Sequence, residues 1–375
     1  MDTVRPGGPL WHVAAAERLR DLSRWPVVVA PMAGGPSTPG LVAAAAEAGA
    51  LGFLAGGYRT ADALRADIDA VRAASAGAFG VNLFVPGEAA ADPAALAVYV
   101  HALEQEAGAL GAAVGPAVWD DDAYDEKVAV VLELAPSLVT FTFGCPSPDL
   151  VRALQERGVL VGITVTTPEE AALALGVGPD CLCLQGAEAG AHRGSFRNDH
   201  RPDAEQDIPL MRLVADAAAL VDVAGGTGTR ARVRARVPLI AAGGISDAAQ
   251  VAAALAAGAT AVQLGTAFLR CTESGTNPAY RAALADPRFT VNGTAITRAF
   301  SGRRARSLVN GFMRAHPDAP AAYPEINNAT RPLRAAAATA GDPDHMSLYA
   351  GVGFARAQAR SVGEIVERLV SGWPA

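Results

Sequence analysis

The stretch Cys181-Leu-Cys-Leu-Gln-Gly-Ala-Glu-Ala-Gly-Ala-His-Arg-Gly-Ser-Phe196 joins a short apolar run to a polar, glycine-rich loop. The run 181–184 is typical of a buried strand, and the loop after it holds a carboxylate, an imidazole and a guanidinium. A strand that ends in such a loop is typical of a β/α barrel, in which catalytic groups follow the carboxyl ends of the strands. His192 is then a candidate base, since the ordinary pKa of histidine lies near neutral pH. A tight loop with a solvated histidine fits the same residues equally well.

The same alternation of strand and helix repeats along most of the chain. Short apolar runs are predicted as strands, and amphipathic or alanine-rich helical stretches separate them. The runs begin at Val27, Leu51, Phe79, Leu138, Val159, Cys181, Val237 and Ala261. This order predicts an α/β fold, a closed parallel (β/α)8 or TIM barrel. An open doubly wound sheet is the alternative, but the first strand is not followed by Gly-x-Gly-x-x-Gly.

The alternation stops after Cys271, and this predicts the domain organisation. We predict a ligand-binding barrel over residues 1–270 and a small, mostly helical cap over residues 271–345 that contributes to the substrate site. A C-terminal helix within residues 346–375 is predicted to pack back on the barrel. A basic, glycine-rich insert at Gly225–Arg236 precedes the seventh strand and is expected to be a solvated loop.

Composition and charge exclude several functions. The chain has 375 residues, of which 51% are hydrophobic and 18% are charged, so a large core is expected. A net charge of −7 argues against nucleic-acid binding. Because neither a signal core near the N-terminus nor an apolar run of membrane-spanning length is present, we expect a cytoplasmic protein without membrane contact. Lys127, the only lysine, lies in a polar helical stretch and is expected to be solvated.

The cysteines and histidines do not suggest metal or disulfide chemistry. Four cysteines in a chain of this length fit no disulfide framework. The histidines do not fall at ligand spacing next to cysteine or carboxylate, so no metal is expected. Cys181 and Cys183 alternate on one strand and are predicted to be small apolar fillers on the same face.

Glycine turns after two strands suggest a phosphorylated ligand, and side-chain amides on two other strands could bind the ring of such a ligand. The seventh and eighth strands end in the turns Gly243-Gly244 and Gly265-Thr266, and the loops after these strands form the common phosphate cradle of β/α barrels. FMN is one candidate, although any tight turn uses glycine. Asn82 interrupts an apolar strand and Gln185 ends another, and buried amides are costly unless they are bonded. They would bond the edges of an isoalloxazine ring or simply a neighbouring backbone.

Five motifs in the same order resemble the nitronate monooxygenase family, formerly called 2-nitropropane dioxygenase. The motifs are Ala30–Pro39, Gly80–Phe84, Gln185–His192, Ala241–Ser246 and Gln263–Thr266. The resemblance runs from about Val27 to Gly311 and includes the post-barrel segment Ala299–Asn310.

The resemblance implies a TIM barrel that binds FMN non-covalently and oxidises an alkyl nitronate or nitroalkane with O₂. The products would be a carbonyl compound and nitrite, formed without external NAD(P)H. His192 matches the family's catalytic histidine, and Arg193 and Ser301 are expected to contact the substrate. A homodimer is the assembly to test first. The residues implied to bind FMN are Met32, Asn82, Gln185, Gly190, Gly243, Gly244, Gln263, Leu264, Gly265 and Thr266.

The chain departs from the family pattern in two places. Where the family usually has Gly-Gly-His, this chain has Gly190-Ala191-His192. The added Cβ of Ala191 would shift the histidine or narrow the pocket if the backbone there needs a positive φ. The family's Ser-Gly-Arg-Pro-Ala-Arg is Ser301–Arg306 here, with Arg304 in place of the proline.

Two alternative functions remain open at this point. FMN-dependent enoyl-thioester (enoyl-ACP) reductases are similar in barrel, flavin cradle and histidine loop, but they use NAD(P)H to reduce a fatty acyl double bond. Gln185 and the continuation His192–Phe196 favour the nitronate enzyme. A flavin-binding protein without turnover is the second alternative, against which the intact His192 argues.

Overall fold

The computed structural model describes residues 10–223 and 237–373, so the insert Gly225–Arg236 lies outside the described residues. Eight parallel strands form a closed barrel, which confirms the predicted fold class. The strand of residues 27–29 closes it by pairing with both the second and the last barrel strand. The strands of the described residues are β1 (Val27–Val29), β2 (Leu51–Ala55), β3 (Phe79–Phe84), β4 (Leu138–Thr142), β5 (Leu160–Val165), β6 (Cys181–Gln185), β7 (Ala191–His192), β8 (Leu239–Ala242), β9 (Ala261–Leu264), β10 (Thr294–Thr297) and β11 (Ala305–Leu308).

Strand β6 shows how the apolar runs build the barrel. Successive side chains of a strand point to opposite faces, so Cys181 and Cys183 pack inside the barrel in a cluster that includes Phe53. Leu182 and Leu184 belong instead to the cluster formed with the surrounding helices. Both faces of the strand are therefore buried, and the interpretation of the two cysteines as small interior fillers is confirmed.

Helices surround the barrel, and side-chain caps set several of their starts. Thr60 and Asp247 accept hydrogen bonds from the backbone N–H of Ala63 and Gln250. In the described part of the chain, no helix combines the length and the apolar character needed to cross a membrane. The α-helices are α1 (Leu10–Asp21), α2 (Pro39–Glu47), α3 (Ala61–Ala74), α4 (Pro93–Ala109), α5 (Tyr124–Leu134), α6 (Pro148–Glu156), α7 (Pro168–Leu175), α8 (Asp203–Gln206), α9 (Leu210–Val223), α10 (Ala248–Ala256), α11 (Pro278–Ala283), α12 (Pro287–Asn292), α13 (Gly311–Ala315), α14 (Glu325–Ala340) and α15 (Val362–Leu369).

The segment after the barrel differs from the prediction in two respects. It is helical in large part, but β10 and β11 form an antiparallel hairpin, and β11 also pairs with β7 beside the barrel mouth. The C-terminal helix predicted within residues 346–375 is short: it is α15 alone, which begins at a capping box on Ser361. The residues before it run along the barrel mouth, where the Gly351 N–H donates to Thr266 Oγ1 at 3.0 Å.

Lys127 is buried, which corrects the expectation that it is solvated. Its exposed fraction is 1%, and its Nζ lies 2.8 Å from Asp122 Oδ2. The same carboxylate accepts a 2.9 Å hydrogen bond from the backbone N–H of Tyr58 through Oδ1. The only lysine therefore helps to hold the loop after β2 at the barrel mouth.

Candidate active site at the barrel mouth

A cavity of about 590 Å³ lies at the carboxyl ends of the barrel strands. This volume is within the range of small-molecule and cofactor sites. His192 lines the cavity, and so do all ten residues that the family resemblance implied for FMN. The structure thus brings the predicted residues into one site at the end of the barrel where β/α-barrel enzymes carry their chemistry.

Glycine is required in the turn after β8 and in the loop after β6. Gly244 has a φ of +70°, and a Cβ there would lie 2.8 Å from Glu188 Cβ. A Cβ at Gly190 would lie 2.4 Å from the backbone nitrogen of Gly351. Both contacts are too short for a real Cβ, so backbone lines this part of the cavity. Such backbone, followed by α10, is suited to cradle an anion.

Asn82 presents a hydrogen-bond acceptor to the cavity. Its Nδ2 donates to Thr140 O at 3.2 Å, to Thr140 Oγ1 at 3.0 Å and to Thr142 Oγ1 at 2.9 Å. These bonds use the amide hydrogens and leave the carbonyl oxygen Oδ1 for a ligand.

Gln185 has a hydrogen-bond donor available for a ligand, whereas Asn82 has an acceptor. Its Oε1 accepts from Arg193 Nη1 at 3.0 Å and from the Gly194 N–H at 2.8 Å. Its Nε2 donates to His192 O at 2.9 Å, which leaves one amide hydrogen unused. Both amides bond their neighbours, as one of the two interpretations held, yet each keeps one polar position for a ligand.

His192 lies on the cavity wall as a neutral imidazole. Burial, together with the positive charges of Arg303 and Arg334, lowers its pKa to about 3. Its ring centroid lies 5.2 Å from the ring of Tyr349 and 5.6 Å from that of Tyr323. The histidine is therefore uncharged at neutral pH and set among aromatic rings.

Ser301 holds the His192 ring from outside the cavity. Its Oγ lies 2.8 Å from His192 Nε2, and its exposed fraction is 1%. Its Oγ also lies 3.2 Å from Arg303 O and 3.3 Å from Arg303 N. The predicted substrate contact is thus placed behind the histidine, where it orients the ring.

Arg193 also lies away from the cavity, which corrects the expectation that it contacts the substrate. The residue is 1% exposed, and besides Gln185 it donates to Gly186 O at 2.6 Å. Its Nε is 3.7 Å from Asp207 Oδ1. The guanidinium therefore bonds the loop that follows β6 and does not line the cavity.

The two departures from the family pattern have clear structural consequences. Ala191 has a φ of 64°, so the condition stated for its Cβ is met and the residue occupies the left-handed region. That conformation costs a residue with a Cβ about 1–2 kcal/mol. Arg304 donates to Asp207 Oδ2 at 2.5 Å and also to Asp203, which ties the cap to the α8 segment.

Sequence reasoning missed the residues at the outer end of the cavity. Tyr58, Phe143, Tyr349, Asn327 and Arg334 all line it. Arg334 Nη2 donates to Asn327 O and Oδ1, both at 2.9 Å, and no carboxylate of the described residues pairs with it. Phe143 directly follows β4, and Tyr58 lies three residues after the end of β2, which was a usable signal, whereas nothing local marks the arginine.

The closed barrel, its glycine turns and a neutral histidine on an amide-lined cavity define a β/α-barrel enzyme with a cofactor-sized site. The family model described as "Nitronate monooxygenase" matches residues 16–372. The chain therefore belongs to the nitronate monooxygenase family and is an oxidoreductase.

Known proteins agree with this assignment. "Nitronate monooxygenase" of Pseudomonas aeruginosa is 39% identical, over 92% of this chain and 95% of that protein. The crystal structure of nitroalkane oxidase from Streptomyces ansochromogenes is 45% identical, with a TM-score of 0.87 over 94% of this chain and 97% of that one. FabK from Thermotoga maritima is more distant, at 26% identity and a TM-score of 0.68 over 94% of both chains.

Proposed function

We propose that this protein is an FMN-dependent nitronate monooxygenase that oxidises alkyl nitronates with O₂ to carbonyl compounds and nitrite. The observation that carries the proposal is the neutral His192 on the wall of the cavity. The same cavity is lined by the amides of Asn82 and Gln185, by glycine turns, and by aromatic rings and an arginine.

The residues present fit FMN. The Gly243-Gly244 and Gly265-Thr266 turns would hold the phosphate through backbone N–H groups. Asn82 Oδ1 and the free Gln185 N–H would bond the ring, whose edge carries both donors and acceptors. When bound, FMN supplies the redox chemistry that connects the organic substrate to O₂.

His192 would accept the α-proton of a neutral nitroalkane. With the hydroxyl hydrogen of Ser301 on Arg303 O, 3.2 Å away, Ser301 Oγ would accept from His192 Nε2–H at 2.8 Å. This arrangement leaves Nδ1 as the unprotonated nitrogen. A neutral imidazole at the working pH has the protonation state that a general base needs.

Arg334 would stabilise the anionic form of the substrate. Its guanidinium lines the cavity without a carboxylate partner among the described residues. A fixed positive charge in a site with little water lowers the energy of a nitronate anion. The rings of Tyr58, Phe143 and Tyr349 surround the same volume and would exclude water from it.

The test mixes purified, FMN-loaded protein anaerobically with propionate 3-nitronate, and separately with NADH, while the flavin absorbance is recorded. We expect the spectrum to respond to the nitronate and not to NADH, and nitrite to form once air is admitted. Rapid bleaching by NADH without a response to nitronate would overturn the proposal in favour of the enoyl-thioester reductase. Bound FMN that responds to neither would favour a binding protein without turnover.

A further inference from the structure

We propose that Arg193 is a positioning residue that fixes the side-chain amide of Gln185 with its free N–H toward the cavity. Gln185 would then meet the cofactor only as a hydrogen-bond donor. The inference rests on the proposed function, because FMN is taken as the ligand, and it assigns a role to a buried cation that proton transfer does not use.

Arg193 is built to hold an oxygen rather than a substrate. The residue is 1% exposed, and its Nη1 lies 3.0 Å from Gln185 Oε1 and 2.6 Å from Gly186 O. Bonds from a charged donor are shorter and stronger than neutral ones. The guanidinium thus fixes two oxygens at the end of β6, one from a side chain and one from the backbone.

The reversed orientation of the Gln185 amide is disfavoured on both sides. It would place the NH₂ group against the Arg193 guanidinium and the Gly194 N–H, so that donors face donors. It would also place the carbonyl oxygen against His192 O, which now accepts at 2.9 Å. Only the observed orientation satisfies these buried groups.

A second layer holds Arg193 itself. Asp207 Oδ1 lies 3.7 Å from Arg193 Nε, and Asp207 Oδ2 accepts from Arg304 Nη2 at 2.5 Å. Arg304 stands where the family pattern has a proline, so in this chain the cap shares the carboxylate that faces Arg193. The contacts run from the cap through Asp207 and Arg193 to the amide at the cavity.

The consequence for the cofactor follows from the polarity of the amide. A fixed N–H near an acceptor atom of the ring favours states in which that atom gains negative charge. Loss of the constraint would weaken FMN binding, lower the reduction potential of the bound flavin and shift its visible absorbance.

A double-mutant cycle tests this role directly. The variants are R193M, Q185L and the double variant, with FMN dissociation constants measured on apoprotein by fluorescence quenching. We expect R193M to weaken FMN binding about tenfold, the scale of one charged hydrogen bond. If Arg193 acts through Gln185, the double variant will bind FMN no more weakly than Q185L, and the R193M spectrum and potential will shift toward those of Q185L.

Two further variants keep the test decisive. R306M removes a guanidinium that bonds Ala187 O at 2.9 Å in the same loop but does not touch Gln185, so its effect should add to that of Q185L. R193K keeps the charge near Asp207 but cannot reproduce the guanidinium contacts. It should weaken FMN binding as expected for R193M, and it therefore provides the same test if R193M folds poorly.

Additive effects of R193M and Q185L, or an R193M protein with unchanged FMN affinity, spectrum and potential, would overturn the inference while leaving the proposed function intact. Wild-type protein that does not bind FMN would overturn the proposed function, and this inference with it.

Discussion

The two ends of the cavity are built in different ways. The inner end consists of backbone turns, such as that at Gly244, and of the side-chain amides of Asn82 on β3 and Gln185 on β6. The outer end consists of large side chains, such as Tyr58, Tyr349 and Arg334. The inner end can be found from local sequence because strand register places its residues. The outer end depends on how loops and the cap pack against the barrel.

Register explains why the inner end is predictable. Gln185 is paired with Ala242, Ala242 with Gln263, and Gln263 with Val28 across adjacent strands. In a closed parallel barrel, residues at the ends of neighbouring strands share one rim. A polar residue that ends an apolar run therefore reaches the same cavity as its counterparts on other strands.

Replacement of His192 should have the largest effect, and it tests whether the two ends function separately. We expect H192N to lower kcat/KM for a neutral nitroalkane by about 10²–10⁴, the usual contribution of a general base. With a preformed nitronate the loss should be below about tenfold, because no proton needs to be removed. The affinity for FMN should not change.

The measurements are steady-state kinetics with both forms of one substrate, together with FMN titration of the apoprotein. S301A serves as the companion variant, since Ser301 acts through the histidine and should give a smaller loss of the same kind. Equal losses with nitroalkane and nitronate would contradict the role of His192 as a base.

The sequence predicted the barrel, and it predicted that His192 and the glycine turns lie at the barrel mouth, because each of these depends on local pattern and strand order. It did not predict the hairpin of β10 and β11, whose pairing with β7 joins distant parts of the chain. The burial of Lys127 was missed because its polar neighbours in sequence indicated an exposed helix, whereas its carboxylate partner, Asp122, precedes that helix. Arg193 was assigned to the substrate because a local pattern does not show which way a side chain turns.

A methyl group in the Gly243-Gly244 turn, which is proposed to hold the phosphate, should damage the inner end selectively. We expect G244A to weaken FMN binding by about 10- to 100-fold, because its Cβ would lie 2.8 Å from Glu188 Cβ and displace the turn. G341A is the matched control, since Gly341 has a φ of +69° with nothing within 4 Å of an added Cβ. Both variants should lose about 1 kcal/mol of unfolding free energy from backbone strain, but only G244A should lose FMN affinity in titrations. Equal FMN affinities in the two variants would contradict the cradle.

Removal of the Arg334 charge should damage the outer end selectively. We expect R334M to raise KM for an anionic nitronate about tenfold, since a cation in the cavity is lost. KM for the neutral nitroalkane should stay nearly constant, and so should FMN affinity. R368M removes one positive charge from the exposed end of α15 and controls for net charge. A parallel rise in KM for both substrate forms would mean that Arg334 supports the cavity wall and does not distinguish the anionic substrate from the neutral one.

The lowered pKa of His192 should appear in stability as well as in catalysis. Because the folded protein keeps the imidazole neutral down to a pKa of about 3, the unfolded chain binds the extra proton first as pH falls below about 6.5. The stability that depends on a neutral His192 is complete above that pH. It is lost on acidification, by at most about 1.4 kcal/mol of unfolding free energy per pH unit. Urea unfolding of wild type and H192N from pH 7 to pH 4 should show the steeper decline in wild type. Parallel curves would mean that the imidazole titrates normally in the fold.

Relief of the strain at Ala191, the residue before His192 in the cavity wall, should give the smallest effect. Glycine tolerates the observed φ of 64° without the cost that a Cβ imposes, but it adds entropy to the unfolded chain. We therefore expect A191G to raise the unfolding free energy by no more than about 1 kcal/mol, measured by urea denaturation. A135G is the control, because Ala135 has a φ of 45° at the end of α5 and should gain similar stability without any change in kinetics. If A191G also changes kcat with nitroalkane, the methyl group of Ala191 affects the position of His192. If only stability changes, β7 and Ser301 hold the histidine whatever residue precedes it.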